Sequence, residues 1–507
     1  MLWTWSSTSF YNLKIERKYI SKTQIGFLWV NDSCFATHPY LGGFVAFFIL
    51  WFLFFYKFSS IKGAENMQKL FDEAKRVPDE LKKKIFDAAE NEFPYLLEQI
   101  KGVIAVNSIN PNHAEGKLPE AAGGEEKTSR LIAEYMKEAG MEIDLFGEEG
   151  RLNAVGTLGS GERSLLFNGH VDVVDVGDSE EWTVSPWSGE IIDGKMYGRG
   201  TTDMKAGLMC TVGAVKALTS IGLKPDGKLI IQAVCGEEGG EKELGTEACL
   251  KRGYTADAGI CVEASAPPDP LAVLPASPGV LPFEIWVEGK AAHTSMRDEI
   301  CRAGGHGDEW AVSALDKIVF VYTGLLKLEE RWGITKTHPA FTRPGHFTIN
   351  PCGIYSGPTT YAINSEANLF YTAWFSPKDT VEDVKKEITD YVTNWCSSDP
   401  WLVEHPPVFK WLNEWPGYDV PLDAPICHTM QDAYAEVMDK PAPVNGFVAV
   451  SDASFLNAWG IPTVIMGPGN IRTAHGIDEC VAVQELLDAT KIYALAIVKW
   501  LGLQDVN

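Results

Sequence analysis

The amino-acid sequence predicts an α/β fold with a mixed, largely parallel sheet and a second, α+β domain inserted into it. The first observation is the alternation of apolar strands and helices between about residues 165 and 263, an order typical of parallel strands covered on both faces. The second is a change at about 281, where segments alternate apolar and polar residues as half-exposed antiparallel strands do. The third is the return of the α/β pattern near Pro421.

Periodicity and flanking residues indicate each element of the first α/β part. The helix after Asp203, for example, has Leu208, Val212, Val215 and Leu218 on one stripe. We also predict helices over 67–77, 79–104 and 243–252, an extended segment over 142–147, and buried strands over Leu165–Phe167, Lys228–Val234 and Ala258–Val262.

The inserted domain is predicted over 281–396. Its strands are indicated by Phe283–Glu288 and Asn368–Phe375, and its helices are predicted over 308–328 and 380–396. A long helix over 482–501 closes the chain. The predicted organisation is an N-terminal extension over 1–66, a first α/β part over 67–280, the inserted domain over 281–396, and a second α/β part over 397–507.

The N-terminal extension has a composition of its own. Tyr40–Tyr56 is an uninterrupted apolar run, which as a helix spans about 25 Å, enough for a thin bilayer. One interpretation is a membrane anchor over 40–58 with its C-terminal side in the cytoplasm, because two lysines follow it closely and one lies comparably near on the other side. The alternative is that residues 1–66 are not native and that Met67 is the true start.

The composition limits the class of protein. The chain has 507 residues, 45% of them hydrophobic and 22% charged, which is typical of a globular chain with room for two cores. Its formal net charge of −24 makes nucleic acid a poor partner, since such a surface repels phosphate groups. Ten cysteines without a CxxC pair indicate reduced, mostly buried thiols and predict a cytoplasmic location for the folded part.

Five imidazole or carboxylate groups share one placement, because each follows an apolar strand or borders a glycine-rich turn. They are His170, Asp203, Glu238, Glu263 and His475. Ligands and catalytic groups of α/β sheets gather at the carboxyl ends of strands. Taken singly each residue has an ordinary interpretation, such as a helix N-cap for Asp203. A shared metal site accounts for all five together.

The residue types indicate the metal and a division of roles. Two histidines and three carboxylates suit zinc or cobalt better than magnesium or calcium, which prefer oxygen-only shells. His170 and Asp172 form an H-x-D pair whose side chains point the same way, so that the carboxylate can orient the imidazole. Glu237 and Glu238 are adjacent and face opposite ways, so one can bind metal while the other moves a proton.

Longer motifs surround these groups in a fixed order. They are Asn168–Val174, Trp182 with Pro186, Tyr197–Gly200, Asp203–Gly207, Glu237–Glu238, Glu263, Gly289–His293, Ile461–Pro462 and Gly467–His475. Together they resemble the M20 metallopeptidase family, and more narrowly its acetylornithine deacetylase and succinyl-diaminopimelate desuccinylase group. The resemblance runs from about Met67 to the end of the chain.

The resemblance implies a zinc-peptidase-like catalytic domain with an inserted lid domain through which members often dimerise. It implies two divalent cations, zinc in the first place or cobalt. In this sequence His170 and Glu263 would hold one cation, Glu238 and His475 the other, and Asp203 would bridge them.

The resemblance also implies roles for groups around the cations. Asp172 would orient His170, and Glu237 would be the general base. His293 of the lid domain would help to polarise the substrate carbonyl, often from the partner subunit. The Asp203–Met204 peptide bond would be cis.

Three departures from the family pattern concern the Glu263 loop, the lid loop and the substrate, in that order. Ala264 and Ser265 follow Glu263, where members usually have Pro-Thr or Pro-Ser. Asn364 stands where proline is usual. Members commonly place an arginine near Trp374 to bind a substrate carboxylate, and this sequence has none there, which argues against a dicarboxylate substrate.

The function predicted from these residues is hydrolysis of an amide bond. The substrate would be an N-acyl amino acid, as for acetylornithine deacetylase, or a short peptide if the chain is a carboxypeptidase or dipeptidase. A non-catalytic binding protein on the same fold is the rival hypothesis, which a missing ligand or base would favour, and none is missing. The sequence has no G-x-S-x-G elbow of a serine hydrolase.

Overall fold

The computed structural model describes residues 77–113, 121–265, 269–357 and 360–504. They belong to Val77–Asn507, one of the two units into which the chain divides. The other unit, Met1–Arg76, lies outside the described residues, and with it the predicted membrane helix over 40–58 and the helix predicted from Met67. Within the described ranges, no helix combines the length and the apolar character that crossing a membrane requires.

The helices lie close to their predicted positions, with one exception. The helix predicted over 308–328 occupies Ala314–Thr335, because the Ser313 side chain accepts a hydrogen bond from the backbone N–H of Asp316 and caps the helix there. The α-helices are α1 (Asp79–Ile104), α2 (Gly124–Glu138), α3 (Lys205–Ser220), α4 (Thr246–Lys251), α5 (Arg297–Cys301), α6 (Ala314–Thr335), α7 (Val381–Cys396), α8 (Pro400–Glu404), α9 (Pro425–Met438), α10 (Ala453–Ala458) and α11 (Val483–Leu501).

The strands include all those that the sequence predicts. They are β1 (Glu142–Glu148), β2 (Arg151–Leu158), β3 (Ser164–His170), β4 (Ile191–Ile192), β5 (Lys195–Tyr197), β6 (Lys228–Val234), β7 (Gly259–Cys261), β8 (Val273–Ser277), β9 (Gly279–Glu288), β10 (Ala292–His293), β11 (Thr348–Tyr355), β12 (Ala362–Ile363), β13 (Glu366–Phe375), β14 (Val408–Trp411), β15 (Tyr418–Asp419), β16 (Val444–Gly446), β17 (Thr463–Ile465) and β18 (Cys480–Ala482).

The larger sheet confirms the predicted mixed architecture. Its order is β1-β2-β6-β3-β7-β17-β8-β15, and β16 pairs with β8. The centre is parallel, because β3 runs parallel to β6 and β7, and β17 runs parallel to β7. Towards both ends of the sheet, neighbouring strands pair antiparallel.

Helices cover both faces of this sheet. Side chains of a strand alternate between faces, so Leu165 and Phe167 of β3 pack into the core formed with α1, α3 and α11. Leu166 points the other way and packs in a smaller cluster with Leu250 of α4 and Leu456 of α10. The last six residues of β3 are buried between these two layers. This packing on both faces fixes the position of the carboxyl end of the strand, where His170 lies.

The second sheet is antiparallel and has the order β11-β13-β9-β14. One of its faces packs against α6 and α7, through residues such as Phe283, Leu369, Leu325 and Ile388. Most of these elements fall where we predicted the inserted α+β domain. Strand β14 extends the sheet past residue 396, the predicted limit.

The parallel strands place four of the five predicted ligands at one edge, and the fifth, Asp203, lies just before helix α3. Strand β3 ends at His170, while Glu237–Glu238, Glu263 and the His475 loop follow β6, β7 and β17, respectively. Because these strands are parallel neighbours, their carboxyl ends meet at the same edge of the sheet.

Candidate active site

One group of three predicted ligands centres on His170. Its Nε2 lies 3.0 Å from Oδ1 of Asp203 and 3.4 Å from Oε1 of Glu263. All three residues are buried. Their donor atoms lie within 4.8 Å of one another, which is close enough to share an ion.

A second group uses the other oxygen of Asp203. Nε2 of His475 lies 3.1 Å from Oδ2 of Asp203 and 3.2 Å from Oε2 of Glu238, and these donor atoms also lie within 4.8 Å of one another. Asp203 thus belongs to both groups, and the structure brings all five predicted ligands together. The Asp203–Met204 peptide bond is cis, as the resemblance implies.

Small residues allow the ligand loops to approach. A Cβ at Gly467 would lie 2.1 Å from the carbonyl oxygen of Val262, so only glycine lets the His475 loop pass the strand end that leads to Glu263. Ser265, at one of the departures from the family pattern, joins the same two loops: its carbonyl oxygen accepts a hydrogen bond from the N–H of Ile471 at 3.1 Å.

The donor atoms fit divalent cations. Oε1 of Glu238 and Oε2 of Glu263 are buried and have no hydrogen-bond partner among the described residues, although an unpaired buried carboxylate oxygen is costly. A cation at each group would satisfy these oxygens. Imidazole nitrogen combined with carboxylate oxygen is the donor set that zinc and cobalt accept.

Strong electrostatic coupling sets the charges in this site. Burial lowers the pKa of His170, but hydrogen bonds with Asp203 and Glu263 outweigh it and hold that pKa well above its usual value. Hydrogen bonds with Asp203 and Glu238 raise the pKa of His475 to about 10. Burial raises the pKa of Glu263 to about 7 and raises that of Glu238. In the metal-free protein, both shifts favour the positively charged form of the imidazoles, which offsets the negative charge of the carboxylates.

Glu237 lies beside both groups without belonging to either. Its side chain is buried, lines the same cavity, and approaches Nε2 of His170 to 3.8 Å. Burial raises the pKa of Glu237 well above its usual value, with the nearby Asp452 and Glu263 adding to the effect and His170 opposing it. A carboxyl group tuned in this way is suited to accepting and returning a proton during a reaction.

Asp172 lies where predicted but makes different contacts. Nδ1 of His170 is 2.9 Å from the backbone carbonyl oxygen of Asp172, whereas the carboxylate is 3.8 Å away. The carboxylate instead accepts hydrogen bonds from the N–H groups of Glu237 and Glu238, at 3.3 and 3.1 Å, and from Nδ2 of Asn110 at 2.8 Å. Asp172 thus supports the imidazole through its carbonyl and the Glu237–Glu238 turn through its side chain.

His293 is not brought into this site within one chain. It lies on β10, its side chain is exposed, and its Nδ1 contacts Ser295 Oγ at 2.9 Å. It is not among the described residues that line the cavity.

A buried ion pair behind Asp203 was missed by sequence reasoning. One oxygen of Glu479 accepts hydrogen bonds from the backbone N–H groups of Gly200, Thr202 and Asp203, at 3.0, 2.8 and 3.1 Å. Its other oxygen accepts a hydrogen bond from Arg199, and the two side chains are 0% and 1% exposed. The only signal in the sequence is that Glu479 follows His475 by four residues. The pair fixes the two ligand loops relative to each other.

The cavity above the ligands has a volume of about 410 Å³. Away from the ligands and Glu237, its walls are apolar. The remaining lining residues are Trp374, Trp415, Ala449, Val450, Ile471 and Ala474. Neither lysine nor arginine is among the described residues that line the cavity. This agrees with the absence of an arginine near Trp374 in the sequence.

The fold and the site together define a class of protein: an α/β scaffold whose functional edge carries two groups of candidate metal-ligand residues joined through one carboxylate. Within that class the chain belongs to Peptidase family M20/M25/M40, whose profile matches residues 166–499. This confirms the resemblance seen in the motifs. Members of the family are metal-dependent hydrolases of carbon–nitrogen bonds, in peptides or in other amides, and this chain is one of them.

Individual proteins to which the chain is similar include deacylases and a dipeptidase. The chain is 35% identical over 386 residues to the N-formyl-4-amino-5-aminomethyl-2-methylpyrimidine deformylase of Bacillus subtilis (strain 168), covering 73% of this chain and 88% of that protein. It is 27% identical over 396 residues to a Staphylococcus aureus (strain MRSA252) protein named "Probable succinyl-diaminopimelate desuccinylase", covering 73% and 92%. Human carnosine dipeptidase 1 has the same fold, with a TM-score of 0.61 at 15% identity, covering 83% of this chain and 98% of that one.

Proposed function

We propose that this chain is a two-metal deacylase that removes an acyl group from an amine nitrogen. The observation that carries the proposal is the sharing of Asp203 between two groups of ligand residues, with Glu237 beside both. His170 and Glu263 would hold one cation, Glu238 and His475 the other, and Asp203 both. Zinc suits these donors in the first place, and cobalt is the alternative.

Bound divalent cations supply the positive charge that activates water at neutral pH and polarises a carbonyl group. The remaining chemistry belongs to residues of this chain. Glu237 accepts the proton that the attacking water loses, holds it in a buried position, and delivers it to the departing amine nitrogen. Asp172 fixes the turn that carries Glu237 through the hydrogen bonds to that turn's backbone.

Two groups of amides are candidate substrates. N-acyl amino acids, such as acetylornithine, follow from the motifs of the sequence, and amines without a carboxylate follow from the similarity to a protein named as a pyrimidine deformylase. In both groups we expect a small, uncharged acyl group such as formyl or acetyl. A charged acyl group such as succinyl would need a cationic partner, and neither lysine nor arginine is among the described residues that line the cavity. A dipeptidase or carboxypeptidase activity shares the same chemistry and differs in needing a contact for a peptide terminus.

The role of His293 is proposed to depend on a second copy of the chain. The side chain is exposed and outside the cavity of its own chain, which supports a contact with the substrate carbonyl from the partner subunit of a dimer formed by the predicted lid domain, 281–396. There it would stabilise the oxyanion that forms on attack.

The proposal is tested with the full-length chain supplied with zinc or cobalt. We expect hydrolysis within a panel of N-formyl, N-acetyl and N-succinyl amines and dipeptides, loss of it with a chelator, and recovery when metal is restored. Glu237→Gln is expected to keep its metal content and lose about 10²–10⁴-fold in kcat. Glu162→Gln, a substitution at an exposed surface position, is the matched control. Hydrolysis that is insensitive to chelator, or full activity of Glu237→Gln, contradicts the proposal.

A further inference from the structure

Two tryptophans face the cavity from neighbouring positions of the second sheet. Trp374 of β13 pairs directly with Val280 of β9, and Trp415 forms an antiparallel bridge with the same Val280 from the other side. Side chains of directly paired residues lie on one face of a sheet. Both indoles therefore project from the face opposite α6 and α7, with Val280 between them.

The separation of the two indoles follows from strand spacing. Neighbouring strands lie about 4.8 Å apart, so the backbones that carry the tryptophans are separated by roughly 10 Å. An aromatic ring packs on another with the centroids about 4.5–7 Å apart. One flat ring placed between the indoles can therefore contact both.

One of the indoles is held rigidly before any ligand binds. Nε1 of Trp415 donates a hydrogen bond to the carbonyl oxygen of Ser451 at 3.0 Å, and its ring packs on Phe455 with centroids 4.9 Å apart. Trp415 is only 9% exposed. A fixed aromatic wall loses little conformational freedom on binding, which favours a rigid, flat ligand.

The charged side chains that line the cavity indicate whether the ligand can carry a carboxylate. Among the described residues that line it, the basic side chain is His475, which is already engaged with Asp203 and Glu238. Because the proposed function engages the carboxylates of the site with two cations, a substrate carboxylate beside the scissile amide would face the apolar walls, with neither lysine nor arginine among the described lining residues to pair with it. Burying an unpaired charge in such surroundings is costly, so the cavity disfavours N-acyl amino acids.

We propose that the amine half of the substrate is a flat, uncharged aromatic ring on a short linker, with no carboxylate beside the amide, held between Trp374 and Trp415. This inference rests on the proposed deacylase function and specifies its substrate class. The amide lies at the ligand residues, the departing nitrogen faces Glu237, and the ring occupies the apolar end of the cavity.

The test compares three formamides that differ in one feature each. N-formylbenzylamine has the ring and no carboxylate, N-formylphenylglycine adds a carboxylate on the linker carbon, and N-(cyclohexylmethyl)formamide replaces the flat ring by a puckered one. With the metal-loaded full chain, we expect kcat/KM for N-formylbenzylamine to exceed that of N-formylphenylglycine about tenfold or more. It should exceed that of the cyclohexyl compound about three- to tenfold, as an aromatic contact implies.

Variants assign the preference to the two indoles. Trp374→Leu and Trp415→Leu are expected to reduce the benzyl-to-cyclohexyl ratio to about one while the metal content stays unchanged. Trp459→Leu, at an exposed position outside the cavity, should keep the wild-type ratio. Because Trp415 is buried, its variant is compared by melting temperature first, and Trp374→Leu alone carries the conclusion if Trp415→Leu fails to fold.

A binding measurement separates this inference from the proposed function. Glu237→Gln is titrated with N-formylbenzylamine and with the cyclohexyl compound, following tryptophan fluorescence. Tighter binding of the benzyl compound, lost in the Trp374→Leu background, supports the aromatic site even if no amide is cleaved. Equal binding of the two, or faster hydrolysis of N-formylphenylglycine than of N-formylbenzylamine, overturns the inference and leaves the deacylase proposal standing. No hydrolysis of any amide overturns the deacylase proposal.

Discussion

Replacing Glu479 by glutamine tests whether the buried ion pair holds the two ligand loops together. In the protein, one oxygen accepts three backbone hydrogen bonds and the other accepts a hydrogen bond from Arg199. A glutamine has one oxygen and one amide N–H₂, so either the backbone donors or Arg199 must face another donor. Arg199, 1% exposed, is then left as a buried charge without its partner.

The magnitude follows from that burial. Removing one partner of a buried ion pair costs about 3–5 kcal/mol of unfolding free energy, because the remaining charge is uncompensated. If the amide N–H₂ of the glutamine faces the backbone donors, the N–H of Asp203 is among the groups that lose their acceptor. Asp203 belongs to both ligand groups. Removing such an outer partner typically lowers metal affinity about 10–100-fold.

Two measurements on Glu479→Gln check this reasoning. Urea unfolding of the metal-free chain gives the change in stability, and competition with a chromogenic chelator gives the zinc affinity. Glu247→Gln is the matched control, because it breaks the surface pair with Lys251 and should cost at most about 0.5 kcal/mol. The double variant Arg199→Met with Glu479→Gln should recover part of the stability, since the stranded charge is gone. A loss below about 1 kcal/mol with unchanged zinc affinity would refute the role that we assign to the pair.

Of four further predictions, two concern protons, one assembly and one packing. Because the pKa of His170 lies well above its usual value and that of His475 is about 10, zinc binding at pH 7 should release protons and tighten as pH rises, measured by titration calorimetry in buffers of different ionisation enthalpy. Because the pKa of His475 is higher in the folded than in the unfolded chain, its protonated imidazole stabilises the metal-free fold fully below pH 6.5. This stabilisation is lost as pH rises through 10, so the free energy of unfolding of the metal-free chain should decrease over that range. If His293 acts across a dimer, mixing inactive His293→Ala with inactive Glu237→Gln should restore activity towards about a quarter of wild type, and no recovery argues against a shared site. Gly207→Ala places a methyl group 2.7 Å from a backbone carbonyl oxygen at the site and should lower the melting temperature, whereas an unchanged value would show that the loop moves freely.

Local sequence patterns were sufficient for the sheet and for the ligand set. Helix α1 and strand β6 have the bounds that periodicity predicts, because an apolar face repeats within a few residues and reports burial directly. Four of the ligands could be predicted because each follows such a strand, and parallel topology then brings them to one edge. Asp203 was indicated by the glycine-rich turn beside it. The domain limits and the chemical roles of these residues stay predictions.

Other features needed the folded chain because they join distant segments. Arg199 and Glu479 lie 280 positions apart, and no window of sequence marks them as partners. The carboxylate of Asp172 contacts the Glu237–Glu238 turn rather than the imidazole of its own strand, since the packing of β3 beside β6 decides which donor is nearer.

The sequence by itself determined which residue types could hold cations and which segments would deliver them, because burial imprints a short period on the chain. Only the tertiary structure decided that Trp374 and Trp415 flank Val280, and that His293 is not among the residues that line the cavity of its own chain. Strand register and the packing of one sheet beside another set those side-chain positions, and both are properties of contacts between segments far apart in the chain.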